Sequence, residues 1–204
     1  MNAPLTKTRP RGRPRGYDAT EALDAAMRVF WAEGYAAASI DTLCLKTGLS
    51  RASLYREFQD KENLFLSAVG HYVETRVATV HAALGPSGPL DADLAAFFAE
   101  IVALATRDPE TPGCLVTCAL ADAAGANTTF RDLLDLRFRT IENKIERRLA
   151  ADPERCASDD LRALAGMIAA VARGITLSAR SGAPACTLNA VARVAVGTVI
   201  RQPG

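Results

Sequence analysis

Apolar residues recur at three- and four-residue intervals along nearly the whole chain, and no stretch alternates β-branched with polar positions. The pattern therefore predicts an all-α protein of about nine helices. Alanine and leucine fill the periodic stretches, whereas glycine and proline gather at their junctions. Asp18 followed by Glu21 forms a capping-box pattern. It opens a first helix whose apolar face is Leu23, Met27 and Phe30, with Gly34 as the expected stop. Ser39 is placed to cap a second helix carrying Ile40, Leu43 and Cys44. Gly48 suits the sharp turn after it, because positive φ is cheapest for glycine. Ser50 caps a third helix with Leu54 and Phe58 on its inner face, and Asp60 opens a long fourth helix reaching about Leu84.

Gly85-Pro86-Ser87-Gly88-Pro89 breaks the pattern, and a fifth helix follows to about Arg107. After Asp108-Pro109-Glu110-Thr111-Pro112 a sixth helix is expected from about Gly113 to Ala124, and a seventh from about Thr128 to Ala150. Ser158 is the expected cap of an eighth, ended by Ser181-Gly182-Ala183-Pro184, and a ninth spans roughly Leu188 to Ile200. No internal repeat is visible.

Composition narrows the class. With 49% hydrophobic and 23% charged residues among 204, the chain reads as a soluble globular protein. The richest apolar stretch, Ala163 to Leu177, is interrupted by Arg173, so no membrane span is expected. The basic N-terminus leads into Asp18, Glu21 and Asp24 rather than an apolar core, which argues against a signal peptide and for a cytoplasmic protein. Cys44, Cys114, Cys118, Cys156 and Cys186 are odd in number and scattered, as reduced thiols are. The net charge of +1 hides an asymmetry: Lys7, Arg9, Arg11, Arg13 and Arg15 have no acid among them, while 17–66 and 67–204 are slightly acidic. Residues 1–16 thus form a Pro-, Gly- and Arg-rich arm expected to be disordered alone.

Three short helices with a glycine between the second and third make a helix-turn-helix, whose last helix fits the DNA major groove. With Ile40, Leu43, Leu49, Leu54 and Phe58 assigned inward, Arg51, Ser53, Tyr55 and Arg56 are left projecting. Arginine bonds guanine edges through two parallel hydrogen bonds, and Ser and Tyr donate to phosphates. Lys61 is unfavourably placed in the first turn of a helix, unless a phosphate docks there. The alternative is a solvated lysine.

The ordered set Phe30-Trp31-Ala32-Glu33-Gly34-Tyr35, Ser39-Ile40-Asp41, Thr47-Gly48-Leu49-Ser50-Arg51-Ala52-Ser53-Leu54-Tyr55-Arg56-Glu57-Phe58 and Asp60-Lys61-Glu62-Asn63-Leu64-Phe65 resembles the TetR family of repressors, continuously from about Asp18 to Leu66. Cys44 stands where that family commonly has alanine, and Ala52 replaces a frequent glycine, which stiffens the third helix. The resemblance implies a nine-helix homodimer with a 17–66 DNA-binding head and a 67–204 body that binds a small effector and dimerises. It puts Arg51, Ser53, Tyr55 and Arg56 at DNA-facing positions and Lys61 at a phosphate-contacting helix start. With Ser39, Thr42, Ser50, Ala52 and the arm residues Arg11, Arg13 and Arg15, these are the candidate contacts to a double-stranded operator. Arg11-Gly12-Arg13-Pro14-Arg15 is similar to an AT-hook core, which enters the narrow A·T minor groove; the competing reading is a basic tail held by phosphates.

From Pro89 onward the chain resembles a branch of the same family through Pro112-Gly113-Cys114-Leu115 and Gly174-Ile175-Thr176-Leu177-Ser178-Ala179-Arg180-Ser181-Gly182-Ala183. The eighth and ninth helices carry Ala169, Ala170, Ala172, Gly174, Val191, Val194, Val196 and Gly197, small enough for a second copy to approach closely, and are the expected homodimer surface. Phe97, Phe98, Ile101, Phe138 and Ile141, with Cys114 and Cys118, are the candidate effector lining; the default reading of each is ordinary core. Arg137 and Arg139 read as surface charges. Cys114 follows Pro112-Gly113 at an expected helix start, where the dipole lowers a thiol's pKa. Cys118 lies one turn on, so a redox- or electrophile-sensing repressor is an alternative.

No enzyme is expected: the chain has no phosphate loop, nucleophile elbow or metal-binding His-Glu helix pair, and asks for no cofactor. His71 and His81 are ten residues apart on one helix, roughly 15 Å, too far to share a metal ion. A helical adaptor without DNA binding explains the body but not the basic arm, Lys61 and the polar third helix together.

Overall fold

Side-chain caps open each helix of the N-terminal head where the polar residues placed them. In the computed structural model, which describes residues 18–85, 88–153 and 160–201, Asp18 accepts from the Thr20 amide at 2.7 Å and starts α1 (Ala19–Ala37). Ser39 caps α2 (Ile40–Thr47), Ser50 caps α3 (Arg51–Phe58) and Asp60 caps α4, each oxygen accepting a backbone N–H from its helix's first turn. The helix α4 runs Lys61–Tyr72, widens into a π-helical turn at Val73–Val77 and continues as Ala78–Ala83. The body adds α5 (Leu90–Thr106), the short α6 (π-helical Val116–Leu120 running into Ala121–Ala123), α7 (Thr128–Ala150), α8 (Leu161–Arg180) and α9 (Ala185–Arg201). The described residues contain no strand.

Two layers of contact hold these helices. In the head, α1 packs on α2 and α4 around fully buried Phe30, Leu43, Leu54, Leu64 and Phe65. In the body, α5 sits centrally, against α4, α8 and α9, while α7 packs along α8. A buried ion pair pins α7 to α5: Arg148 Nε donates to Asp93 Oδ2 at 2.6 Å, with both side chains about 95% buried, and Arg148 Nη2 donates to the Gly88 carbonyl at 2.9 Å. No linker separates head from body at the expected 66/67 boundary, because α4 passes through it unbroken.

Three expected boundaries shift and one helix changes its winding, each for a local reason. Gly34 bends α1 rather than ending it: at φ 82°, ψ 168° it interrupts the helix, and one more turn forms before the Ala38 amide closes on the Gly34 carbonyl. The fourth helix has the expected length, but its π-helical turn takes in one more residue than an α-turn, which shifts the phase of the side chains beyond it. The sixth begins later than Gly113, since Gly113 sits at φ 86° with its amide bonded to the Ala105 carbonyl at 2.9 Å. The ninth begins earlier, at Ala185, because Pro184 accepts the first amides, those of Thr187 and Leu188. Ser158 lies outside the described residues, as do the arm and Cys156.

Among the described helices, α8 alone is long and apolar enough by composition to cross a membrane. Its packing accounts for that character. One face, including Ile168, Ala172 and Ile175, is buried in the subunit, and Arg173 on its flank pairs with Glu142 of α7 at 3.0 Å.

Candidate DNA interface and ligand cavity

The turn between α2 and α3 is built from three interlocked groups. Gly48 takes the left-handed conformation (φ 70°, ψ 8°), Thr47 Oγ1 donates to the Leu43 carbonyl at 2.7 Å, and the Leu49 amide donates back to Thr47 Oγ1 at 3.3 Å. Leu43, Leu49 and Leu54 are buried, whereas Ile40, Cys44 and Phe58 are half-buried at the edge of that small core. Its outer surface is polar. Arg51, Ala52, Tyr55 and Arg56 are exposed and Ser53 half-exposed, while Ser50 Oγ and Ser53 Oγ lie 2.9 Å apart. Ser39 Oγ and Thr42 Oγ1 share a hydrogen bond of 2.9 Å at the start of α2. Arg51 does not hang free: Nη2 meets Asp41 Oδ1 at 2.6 Å, which ties α3 back to α2 on the open surface and raises the guanidinium's affinity for its proton.

Lys61 is partnered within the head. Its ammonium donates to the Ala36 carbonyl at 3.3 Å and lies 4.7 Å from the centre of the Tyr35 ring. The cation thus meets the carbonyl end of α1, where positive charge is favourable, instead of acting only on the α4 terminus. Partial burial pushes its pKa down, opposed by the charge of Glu33. Tyr35 also packs edge-on to Phe130 of α7 at 4.8 Å, so the ring that holds the lysine joins head to body. A polar joint lies nearby. Asp24 of α1 accepts from Arg76 in the π-helical turn at 2.7 Å and from Arg28 at 3.0 Å, with His71 Nε2 at 3.6 Å, and Arg28 reaches Asp108 at 3.0 Å.

Behind that joint, α4 forms one wall of a cavity of about 270 Å³ bounded also by α5, α7, α8 and the segment leading into α6. Val73 and Val77 of the π-helical turn face it, with Phe97 and Ile101 opposite on α5. Phe138 and Ile141 of α7 and Ala169 and Ala172 of α8 complete the apolar surface, and Thr117, Thr140 and Thr176 supply hydroxyls. Thr117 and Thr176 hydroxyls bond each other at 2.9 Å across the α6–α8 contact. Three basic side chains reach the walls. Arg173 is committed, lying 4.6 Å from the Phe138 ring centre and pairing with Glu142. His81 is pushed toward its neutral form by burial and by the charges of Lys144 and Arg137. Arg137 has no ion-pair or hydrogen-bond partner among the described residues, and its Nε is completely enclosed.

The head matches the family model of the bacterial regulatory proteins of the tetR family over residues 22–68. Across 199 residues the chain is 32% identical to the HTH-type transcriptional repressor ComR of Escherichia coli strain K12, an alignment covering 94% of this chain and 91% of that protein. The chain belongs to the TetR family. Another repressor of that organism, BdcR, is 26% identical over 97% of this chain and its own full length. A cysteine-substituted form of the TetR family regulator CifR, solved with 26-bp double-strand operator DNA, superposes with a TM-score of 0.82. It is 30% identical over 91% of this chain and 98% of the other. As a TetR-family chain this protein is a DNA-binding regulator rather than an enzyme or an adaptor.

Within this family member the expected site residues divide. Ser39, Ser50, Arg51, Ala52, Tyr55 and Arg56 are exposed and Thr42 and Ser53 half-exposed on the α2–α3 unit, while Arg11, Arg13 and Arg15 lie outside the described residues. Phe97, Ile101, Cys114, Phe138 and Ile141 line the cavity. Phe98 and Cys118 do not. Phe98 turns into the core beside Phe97, their rings 5.2 Å apart, and Cys118 packs against the Gly113 backbone. The expectation for the Cys114 thiol is reversed: it precedes α6 in a buried position, and burial pushes its pKa up despite hydrogen bonds that pull it down. The redox alternative thereby loses the lowered pKa on which it rested. Arg139 is exposed and pairs with Asp135 at 2.8 Å, but Arg137 is a cavity residue, not a surface charge. The dimer set also divides. Ala169 and Ala172 face inward to the cavity, Ala170, Gly174, Val191 and Val194 face outward, and Val196 and Gly197 are half-buried. His81, Arg173 and the threonines were missed altogether, although Arg137, Phe138 and Ile141 follow the i, i+1, i+4 spacing of one helix face.

Proposed function

We propose that this chain is a homodimeric transcriptional repressor that holds a double-stranded DNA operator through α3, in the cytoplasm, and lets it go when a small effector fills the cavity. The observation that carries this reading is the double membership of α4. Leu64 and Phe65 are fully buried in the head, and three turns later Val73 and Val77 wall the cavity. Whatever occupies the cavity therefore presses on the element that orients the head. The head has 17–66 as its span and the body 67–204, with the arm of residues 1–16 adding sequence-independent attraction to phosphates.

In the operator complex Arg51 exchanges Asp41 for a base edge or phosphate, and Ser50, Ser53, Tyr55 and Arg56 supply the neighbouring polar contacts. A second copy docks on α8 and α9. Met167, Ala170, Gly174 and Leu177 form one exposed stripe on α8, and Val191 and Val194 stand beside it in the fold on α9, with Val194 67% exposed. Effector and operator favour different settings of the two heads, so release is a shift of population equal to the effector's preference between them. Genomic mapping of binding sites followed by anisotropy titration of the recovered duplex tests the reading. Salt-sensitive, sequence-selective binding is the expected result, and its absence on every mapped duplex would remove the reading.

A further inference from the structure

We infer that the ligand of this cavity is an apolar carboxylate: an aromatic or alkyl body seated among the valines and phenylalanines, with its anionic head on Arg137. The inference rests on the effector reading above and narrows it to one chemistry. Three observations converge on it. The cavity surface is overwhelmingly apolar, which selects an apolar body. No Asp or Glu lines its walls, and the nearby Glu142 is neutralised by Arg173. Arg137, in contrast, carries an enclosed and unsatisfied Nε with no counter-charge among the described residues.

Arg137 is half-buried, and an Nε–H closed off from water without an acceptor is costly; a carboxylate accepting two parallel N–H bonds is the ligand group that best satisfies it. An ammonium or a second guanidinium would meet like charge there. A neutral alcohol would satisfy one donor and leave the charge unbalanced.

A neighbouring recess is also cationic. A recess of about 230 Å³ shares His81 with the cavity and is lined by Lys144, Arg147 and Arg148, again with no acidic side chain. Of these, Arg148 is neutralised by Asp93, which leaves Lys144 and Arg147 as positive charge beside the cavity that favours an anion over a cation there. His81, at the junction, has its pKa pushed down by burial and by the charges of Lys144 and Arg137. At ordinary interior packing the cavity holds roughly ten to fourteen non-hydrogen atoms.

The test uses the full-length protein, four probes and two readouts. Phenylbutyrate, octanoate, phenylbutanol and phenylbutylamine are titrated by calorimetry, and each is then added to the protein bound to its mapped operator duplex. We expect at least one acid to bind about tenfold or more tightly than the alcohol and the amine, with the stronger acid reporting whether the body is aromatic or alkyl. In Arg137→Met that preference disappears, the acids falling to about the affinity of the alcohol; Arg137→Gln serves the same comparison if the first variant folds poorly. Ala172→Phe, which fills the cavity, abolishes binding of all four. An alcohol or amine that binds as tightly as the acids, an acid preference that survives loss of Arg137, or no binding by any probe would overturn the inference. Acid binding without operator release would leave the anion site standing and refute the effector reading; release by the alcohol alone would do the reverse.

Discussion

At the scale of single residues, the head places polar groups where two demands meet. Arg51 sits on the outer face of α3 but is held by Asp41, so DNA binding must exchange one charged partner for another. Arg51→Ala is expected to lower affinity for the mapped operator by about 1–3 kcal/mol and to leave affinity for a scrambled duplex nearly unchanged, as read by anisotropy. Gln59 presents a different demand. It is the non-glycine residue at positive φ among the described residues (φ 70°, ψ −51°), and the Asp60 amide closes on the Phe58 carbonyl at 2.9 Å around it, a strained γ-turn. Gln59→Gly should raise stability by about 1 kcal/mol, measured as a shift in the urea midpoint at constant slope.

At the scale of elements, the helix starts were legible because capping is local: Asp18, Ser39, Ser50 and Asp60 need only their own first turns. The π-helical turn in α4 was not, since an extra residue per turn leaves no composition signature and is set by what packs on either side. Arg137 was illegible for a related reason. Its neighbours in sequence are Leu136 and Phe138, one exposed and one lining the cavity, and only the approach of α8 decides which side Arg137 joins. The junction of α1 with α4 supports a pH-dependent prediction. Burial raises the Asp24 pKa, but the hydrogen bond from Arg28, the charges of Arg76 and Arg28 and the contact with His71 together outweigh it, so the net shift is down from 3.8. A carboxylate with a depressed folded-state pKa stabilises the fold above its unfolded value and loses that contribution as the pH falls through the folded one. Asp24→Asn should therefore cost about 1–2 kcal/mol at pH 7, and urea melts of variant and wild type should converge as the pH drops below about 4.

At the scale of the whole molecule, the all-helical fold was readable from periodicity, while the division of α8 into an inner and an outer face was not, because alanine and glycine suit both. Ala169 and Ala172 line the cavity, and Ala170 and Gly174, a residue or two away, face solvent. The outer face is where the second subunit is proposed to sit. Val194→Glu puts a charge on the most exposed of its valines, and light scattering should then report a monomer. Operator affinity is expected to fall at least about tenfold, since each head would bind its half-site alone.

The unbroken course of α4 gives the molecule a lever. From Val80 at the cavity to Lys61 at the head it measures roughly 28 Å, so a tilt of about 10° at the cavity end carries the far end through about 5 Å. Two such arms on opposite subunits would alter the distance between reading helices by a sizeable part of the groove's own width. A guest of a dozen atoms could thus be felt as a mismatch between two half-sites a full turn of the double helix apart.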